Sequence, residues 1–363
     1  MLLRTRLVCA AHELGLPLLL LWCLSAAALG SSWEARLALG ALALQACRLA
    51  LADADLSLLA LGAPPRGAFT GKAVWLVGAS QGLGEAVATH LAQQGATLIL
   101  SARRADALQR VAKLCMAQGA SAAHVVPLDL REEASVIAAA RQAAALAPSG
   151  LSYLFLLAGG TQRSAAEETS GEVEADMFAL NCLSLMALTK AALPALQAAT
   201  RSRIVVLSSA AGKLASPGQA GYAGSKHALN GFFGSLRAEL ASTSVRVTLV
   251  CPGPVATGAP GQPRVTFGAT LGASTLGGSD AVSAAGAAGT KETARLPVSR
   301  AAALTVAAAA HGVREAWLAK HPVLLLLFLT QYAPLLGAAI VDKVGPKRVR
   351  AARQGGDMYA LAK

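Results

Sequence analysis

Between residues 73 and 250, short apolar runs alternate with longer stretches in which apolar side chains return every three or four positions. The runs Ala73 to Val77, Thr97 to Leu100, His124 to Pro127, Leu151 to Leu157, Ile204 to Leu207 and Val245 to Val250 have the length and composition of buried strands. The segments between them, such as Gly84 to Gln94 and Asp106 to Gln118, carry helical spacing. Regular strand-helix alternation predicts a Rossmann-type, doubly wound α/β fold. Its parallel sheet is covered on both faces, and ligands bind beyond the carboxyl ends of the strands.

The pattern changes outside this stretch. Residues 1–33 hold Arg4 and Arg6 and then a charge-free run from Leu14 to Trp33, close to the ~20 residues of a spanning helix. This predicts a signal anchor; the small residues from Ala26 to Ser31 leave a cleaved signal peptide as the alternative. Residues 34–67 read as a helical connector closed by Ala63-Pro-Pro-Arg-Gly67. The catalytic domain is expected over 68–257. Residues 258–296, rich in Gly, Ala, Ser and Thr, are either a substrate lid or disordered. Residues 297–342 read as a helical extension, partly associated with the membrane. Its uncharged run from His321 to Val341 is broken by Gln331 and Pro334, which favours a surface-lying segment over a second span. Residues 343–363 form a basic tail, in which Lys343, Lys347, Arg348, Arg350 and Arg353 are placed to meet anionic headgroups.

Composition supports a membrane address. Hydrophobic residues make up 54% of the 363-residue chain and charged residues 14%, and the mean hydropathy of +0.50 is high for a soluble domain. The net charge of +12 does not point to nucleic acid, because the basic residues are not interleaved with aromatics on a binding module. Six scattered cysteines form no CxxC pair, and six histidines have no metal-ligand spacing, so no metal is implied.

The chemistry concentrates at three places. Gly78-Ala-Ser80-Gln81-Gly82-Leu83-Gly84 follows the first strand and opens a helix, the context in which glycines let a backbone approach a dinucleotide's phosphates. Ser80, Gln81 and Leu83 join the glycines as candidate cofactor contacts. Arg103, at the end of the second strand, stands where a carboxylate would hold a free 2′-hydroxyl. Its guanidinium suits a 2′-phosphate and favours NADP(H), the alternative being a solvated arginine. Asp129, after the third strand, either accepts from the adenine amino group or caps a helix.

Tyr222 and Lys226 are four residues apart on one helix face, where the ammonium favours the phenolate and makes the phenol a usable proton donor. Ser209, thirteen positions upstream at a strand end, is placed to polarise a carbonyl oxygen. Lys226 can also hold ribose hydroxyls, and Asn181 either anchors a water leading to Lys226 or serves only as a structural hydrogen-bonder. Pro252, Val255 and Thr257, after the last strand, are expected beside the nicotinamide, or else form a plain loop. Tyr359 and Lys363 repeat the spacing in the tail, but no strand leads in to them, so the repeat is set aside.

In this order and spacing, the glycine turn, Asp129, Asn181, Ser209, Tyr222-x-x-x-Lys226 and Pro252-Gly253 resemble the short-chain dehydrogenase/reductase superfamily. Longer stretches, among them Leu100-Ser-Ala-Arg-Arg104, Val126-Pro-Leu-Asp-Leu130 and Cys251-Pro-Gly-Pro-Val255, are similar to its membrane-associated hydroxysteroid dehydrogenase branch. The resemblance implies an endoplasmic-reticulum membrane protein using NADP(H) on lipophilic carbonyls or alcohols such as steroids and retinoids. It implies Ser209, Tyr222, Lys226 and Asn181 as the catalytic set, and it makes a homodimer possible. Two departures stand out. Val77 replaces the family's Thr before Gly78, and Leu156-Leu157 replaces its Asn-Asn. Both remove hydrogen-bonding groups, which keeps a catalytically weak NADP-binding scaffold as the alternative function.

Overall fold

The computed structural model describes residues 33–257, 264–267, 275–278 and 295–354. The charge-free run from Leu14 lies outside these residues apart from Trp33, as do most of the expected lid and the tail beyond residue 354.

Helices α1 (Trp33–Leu51) and α2 (Leu56–Leu61) precede β1 (Ala73–Val77), α3 (Gly82–Ala92), β2 (Thr97–Ser101), α4 (Ala105–Ala117), β3 (Ala122–Val125), α5 (Glu133–Ala145) and β4 (Tyr153–Leu156). After the short β5 (Thr161–Gln162), α6 (Gly171–Phe178) runs through a π-helical turn at Ala179–Leu183 into α7 (Ser184–Ala198). β6 (Ser202–Leu207), α8 (Ala220–Glu239), β7 (Val245–Pro252), β8 (Val255–Ala256), β9 (Arg264–Phe267) and β10 (Thr275–Gly278) follow. The chain closes with β11 (Leu296–Pro297), α9 (Val298–His311), β12 (Glu315–Leu318), α10 (Val323–Tyr332) and α11 (Pro334–Arg353).

Seven strands form a parallel sheet in the order β12-β7-β6-β4-β1-β2-β3. Strands buried on both faces need no alternation, which is why Val74, Trp75, Leu76 and Val77 are all apolar and all inaccessible. One face packs on α3, α4 and α9, the other on α5, α7 and α8. The strand order reverses between β1 and β4, so the crevice beyond their carboxyl ends is the topological switch point.

The strand expectations hold with two corrections. β3 is Ala122–Val125 rather than His124 to Pro127; Pro127 lacks an N–H and cannot extend a ladder. The seventh strand, β12, lies beyond residue 257, inside the stretch expected to be a helical extension, and pairs along β7 from Glu315↔Leu249 to Leu318↔Pro252. The alanine-rich α9 before it is buried from Ala301 to Ala310 with little interruption, so residues 296–318 belong to the core. The connector also packs on protein. Leu58 is buried, the Asp55 N–H donates to the Trp317 carbonyl at 2.9 Å, and the Trp317 N–H donates to the Asp55 carboxylate at 2.6 Å.

Among the described residues, one helical stretch, Gly171–Ala198, is long and apolar enough to cross a membrane, and half of it is buried inside the protein. Leu185, Leu188 and Leu196 are inaccessible, so it is a core helix. The apolar run near the C-terminus breaks at Ala333 into α10 and α11. Leu324 and Leu327 face the core, while Leu325, Tyr332, Leu335 and Leu336 are exposed. Within the expected lid, β9 lies parallel to β5 and antiparallel to β10.

Candidate active site

A cleft of about 630 Å³ opens at the carboxyl ends of the central strands. Its floor is the turn after β1. Gly78 has φ +94°, and a Cβ there would sit 2.6 Å from the Ala158 nitrogen; a Cβ on Gly84 would collide with the Gly78 carbonyl. Three backbone segments therefore meet with no room for a side chain, leaving a cradle lined by Ser80, Gln81, Gly82 and Leu83.

The two departures in this region are accommodated locally. The N–H groups of Gly78 and Ala79 donate to the Ser101 carbonyl on β2, at 2.7 and 3.1 Å, so backbone ties the turn to its neighbouring strand where a threonine hydroxyl is missing. Trp75 Nε1 donates to Ser101 Oγ at 2.9 Å and fixes the same corner. Leu156 and Leu157 are buried in the two apolar clusters on opposite faces of the sheet. Packing stands there in place of an amide brace.

Arg103 lines the cleft at the end of β2, whereas Arg104 donates to Gln81 Oε1 at 2.6 Å. Asp129 lines it after β3; its carboxylate accepts from the Arg131 N–H at 3.0 Å and its own N–H donates to Ser135 Oγ at 2.9 Å. Asp129 thus caps a turn while facing the cleft. Pro252, Val255 and Thr257 form the wall opposite, with Thr257 Cβ 3.5 Å from the position of a Cβ on Gly82.

At the other end β6 delivers Ser209, whose Oγ accepts from the Ala211 N–H at 3.1 Å. Helix α8 delivers Tyr222 and Lys226 one turn apart; the ammonium lies 6.0 Å from the phenol ring centroid. Lys226 is buried, and its Nζ donates to the Leu207 carbonyl at 2.9 Å. Burial pulls its pKa down to about 8, against smaller opposing contributions from Cys251 and Cys182. The Tyr222 N–H donates to Gln162 Oε1 at 3.1 Å, which ties the start of α8 to β5.

Asn181 sits behind this wall on the π-helical turn rather than in the cleft. Its Oδ1 accepts from the Gly160 N–H at 2.8 Å, and its Nδ2 donates to the Gly160 carbonyl at 3.0 Å and to Ser225 Oγ at 3.2 Å. A Cβ on Gly159 would lie 3.0 Å from Asn181 Oδ1 and 3.6 Å from Lys226 Nζ. The amide therefore clamps the loop that separates it from the lysine. Tyr359 and Lys363 lie outside the described residues, and among the described residues no group of His, Cys, Asp or Glu is arranged to hold a metal.

Residues 72–264 match the family model of short chain dehydrogenases. The chain belongs to this family. It is accordingly an oxidoreductase by kinship, 34% identical over 326 residues to human dehydrogenase/reductase SDR family member 7, covering 87% of this chain and 91% of that protein. A Xenopus laevis hydroxysteroid 11-beta-dehydrogenase 1-like protein B is 38% identical over 180 residues, 49% of this chain and 61% of the relative. Among solved structures, an alcohol dehydrogenase from Thermococcus sibiricus complexed with 5-hydroxy-NADP is 25% identical, with a TM-score of 0.56 over 69% of this chain and 97% of the other. A Pseudomonas aeruginosa RhlG/NADP active-site complex is 27% identical, with a TM-score of 0.50 over 53% and 76%.

In this short-chain dehydrogenase the C-terminal helices reach the cleft, which the sequence alone did not signal. Val323 and Leu326 of α10 and Arg348 of α11 line it, as does Arg163 beside β5. Arg348 Nη2 donates to Ser216 Oγ at 3.2 Å and Gln219 Oε1 at 3.4 Å, and Arg353 pairs with Glu167 and with Glu168. These two arginines of the basic tail engage protein rather than headgroups; Lys343, Lys347 and Arg350 remain exposed.

Proposed function

We propose that this oxidoreductase uses NADP(H) to interconvert a lipophilic ketone or aldehyde, of the steroid, retinoid or xenobiotic type, with its alcohol at the endoplasmic-reticulum membrane. The observation that carries the reading is the convergence of Ser209, Tyr222 and buried Lys226 on a cleft whose opposite end is the glycine cradle. The residues fit a dinucleotide. A Cβ on Gly78 or Gly84 would collide with neighbouring backbone and force the turn apart, so these glycines keep the cradle's backbone close-packed, and Arg103 lines the cleft where its guanidinium would meet a 2′-phosphate. Gly78, Ser80, Gln81, Gly82, Leu83 and Gly84 would hold the phosphates, Asp129 the adenine, and Pro252, Val255 and Thr257 the nicotinamide side.

When bound, the reduced nicotinamide supplies hydride to the carbonyl carbon. The chain's own residues handle the oxygen. Ser209 Oγ–H donates to it and polarises the bond, and Tyr222 O–H donates the proton that completes the alcohol. The Lys226 ammonium stabilises the tyrosinate left behind and would hold the ribose hydroxyls of a bound cofactor. In the oxidative direction the tyrosinate takes the alcohol proton back. Asn181 acts at a distance by fixing the Gly160 loop against Lys226.

Membrane association is supported by the charge-free run from Leu14 to Trp33 and by exposed Leu325, Tyr332, Leu335 and Leu336 beside Lys343 and Lys347. The scaffold alternative rested on Val77, Leu156 and Leu157. The low-complexity stretch 258–296 motivates it too, while the backbone bonds to the Ser101 carbonyl and the packed leucines favour the enzyme reading.

The test is NADPH oxidation with a panel of lipophilic carbonyls. Turnover abolished by Tyr222→Phe is expected; turnover that survives this substitution, or no NADPH binding at micromolar cofactor, refutes the reading. Arg103→Glu is expected to shift preference toward NADH, and an unchanged preference removes Arg103 from the site.

A further inference from the structure

The serine and the tyrosine that must meet one carbonyl oxygen come from different elements, Ser209 from the turn after β6 and Tyr222 from α8. Their spacing is set by how that turn is held against the helix. The Ser208 N–H donates to the Val250 carbonyl at 2.8 Å, and beyond it the chain leaves the sheet and folds into a tight turn over Ala210–Gly212. Tyr222, Lys226 and Asn230 follow one another at four-residue spacing and share a stripe of α8. Lys226 Nζ donates to the Leu207 carbonyl at 2.9 Å, and one helical turn later Asn230 Nδ2 donates to the Gly212 carbonyl at 2.8 Å. The segment that carries Ser209 is thus gripped at both ends by the helix that carries Tyr222. Contact there is close: a Cβ on Gly212 would lie 2.7 Å from Ser208 Oγ, 2.8 Å from Asn230 Nδ2 and 3.0 Å from the Lys226 carbonyl oxygen. Inside the turn the Gly212 N–H donates to the Ser209 carbonyl at 2.9 Å, so the grip on Gly212 passes directly to the serine. A further tether, from Lys213 Nζ to Glu315 at 2.9 Å, leads to β12 at the sheet edge and not to α8.

We infer that Asn230 is a positioning residue: it holds the Ser209 turn against α8 so that the serine hydroxyl and the Tyr222 phenol address the same substrate oxygen. The inference rests on the reductase reading for the use of that alignment. Asn230 does not line the cleft, so it acts through the turn and touches neither substrate nor cofactor. Space filling is a poorer account of the residue, because its Oδ1 is buried with no hydrogen-bond partner among the described residues, a cost that an apolar side chain would avoid. What the amide supplies is its bond to Gly212. Alignment of this kind matters to rate, since displacing a reacting group by about 1 Å can cost about a hundredfold.

The experiment uses the full-length protein with Asn230→Ala, and with Gly212→Ala, which pushes the turn off α8 from the other side of the same contact. Steady-state NADPH oxidation with a lipophilic ketone is read beside amide hydrogen exchange over residues 207–214. Asn230→Ala is expected to lower kcat at least about tenfold while KM and the NADPH Kd stay within about threefold. Ser209→Ala alone is expected to cost about a hundredfold in kcat. In that background Asn230→Ala is expected to cost less than about threefold more, because the group it aligns is gone. Gly212→Ala is expected to repeat the pattern, so a folding defect in one variant leaves the other informative. Exchange over the turn is expected to quicken by about tenfold or more in Asn230→Ala, with β6 and the rest of α8 unchanged. An unchanged kcat in the folded Asn230→Ala variant, or an equal loss with and without Ser209, overturns the inference, as does faster exchange spread evenly over the sheet and helices. Failure of the reductase reading looks different. A native protein that oxidises no NADPH with any carbonyl sinks that reading and the catalytic use of the alignment, whereas loosening confined to the turn in Asn230→Ala upholds the clamp itself.

Discussion

Lys226 holds a positive charge where solvent does not reach, and this makes a quantitative expectation about stability. Burial takes its pKa from the ordinary 10.5 to about 8. A difference of that size corresponds to a cost of roughly 3 kcal/mol for keeping the ammonium in the folded protein at neutral pH. The sign follows from proton counting. Between about pH 8 and 10.5 the unfolded chain binds a proton at this lysine that the folded protein does not, so this group's contribution to stability rises with pH across that window and is at its least favourable below it. Replacing Lys226 by Met removes the charge and also leaves the Leu207 carbonyl without its donor, a constant loss of about 1–3 kcal/mol that does not titrate. The informative quantity is the difference in unfolding free energy between Lys226→Met and the native protein, measured by urea denaturation at pH 7 and again at pH 10. Titrations common to both proteins cancel. The variant is expected to lose roughly 2–3 kcal/mol relative to the native protein between the two pH values. A difference that does not change with pH would show that the lysine titrates as it does in water, and would remove the buried cation from the mechanism. The same proton governs catalysis, so kcat/KM for carbonyl reduction is expected to fall above about pH 8.

Gly84→Ala places a methyl group against the Gly78 carbonyl and is expected to weaken NADPH binding by about tenfold or more, read by fluorescence titration, with a smaller effect on melting temperature; unchanged affinity would mean the turn can yield. Leu156→Asn restores the residue the family carries, yet its side chain would enter an apolar cluster where Leu156 is inaccessible. It is expected to destabilise by about 2–4 kcal/mol, measured by urea unfolding, and a neutral effect would show that a partner for the amide is still in place. Asn181→Ala removes three hydrogen bonds and strands both polar groups of Gly160, a loss on the order of 3 kcal/mol. Asn181→Asp keeps the acceptor for the Gly160 N–H but not the donor to its carbonyl, and is expected to be little better.

What the sequence discloses about this chain is local, and the structure agrees where local rules suffice. β1 follows from five apolar residues ending at a glycine that needs a positive φ, and Tyr222 and Lys226 share a helix face because helical spacing places them there. Tertiary compensation is not local. The missing hydroxyl at Val77 suggests a loosened turn, but the Ser101 carbonyl that replaces it is twenty-four residues away along the chain and leaves no mark in composition. Asn181 is legible as a buried polar residue near the lysine. Its grip on both polar groups of Gly160 depends on a π-helical turn whose apolar residues look like any other helix.

The C-terminal quarter misleads for a specific reason. An alanine-rich helix that is buried nearly all round has no polar stripe, and a strand of four residues, Glu315-Ala-Trp-Leu318, is too short to show a period. Both therefore read from sequence as part of a membrane extension, although β12 completes the sheet and carries the connector through Asp55. The basic residues after it divide by where α11 lies. With Gly345 seated on Pro217, one turn further brings Arg348 to Ser216 and Gln219, and a second brings Arg353 to Glu167 and Glu168, while Lys343 and Lys347 point away. A run of like charges on one helix thus serves two surfaces at once. The side facing the protein brings Arg348 to the cleft wall, and the side facing out keeps Lys343, Lys347 and Arg350 exposed, so one helix supplies both a wall of the site and a basic outer face.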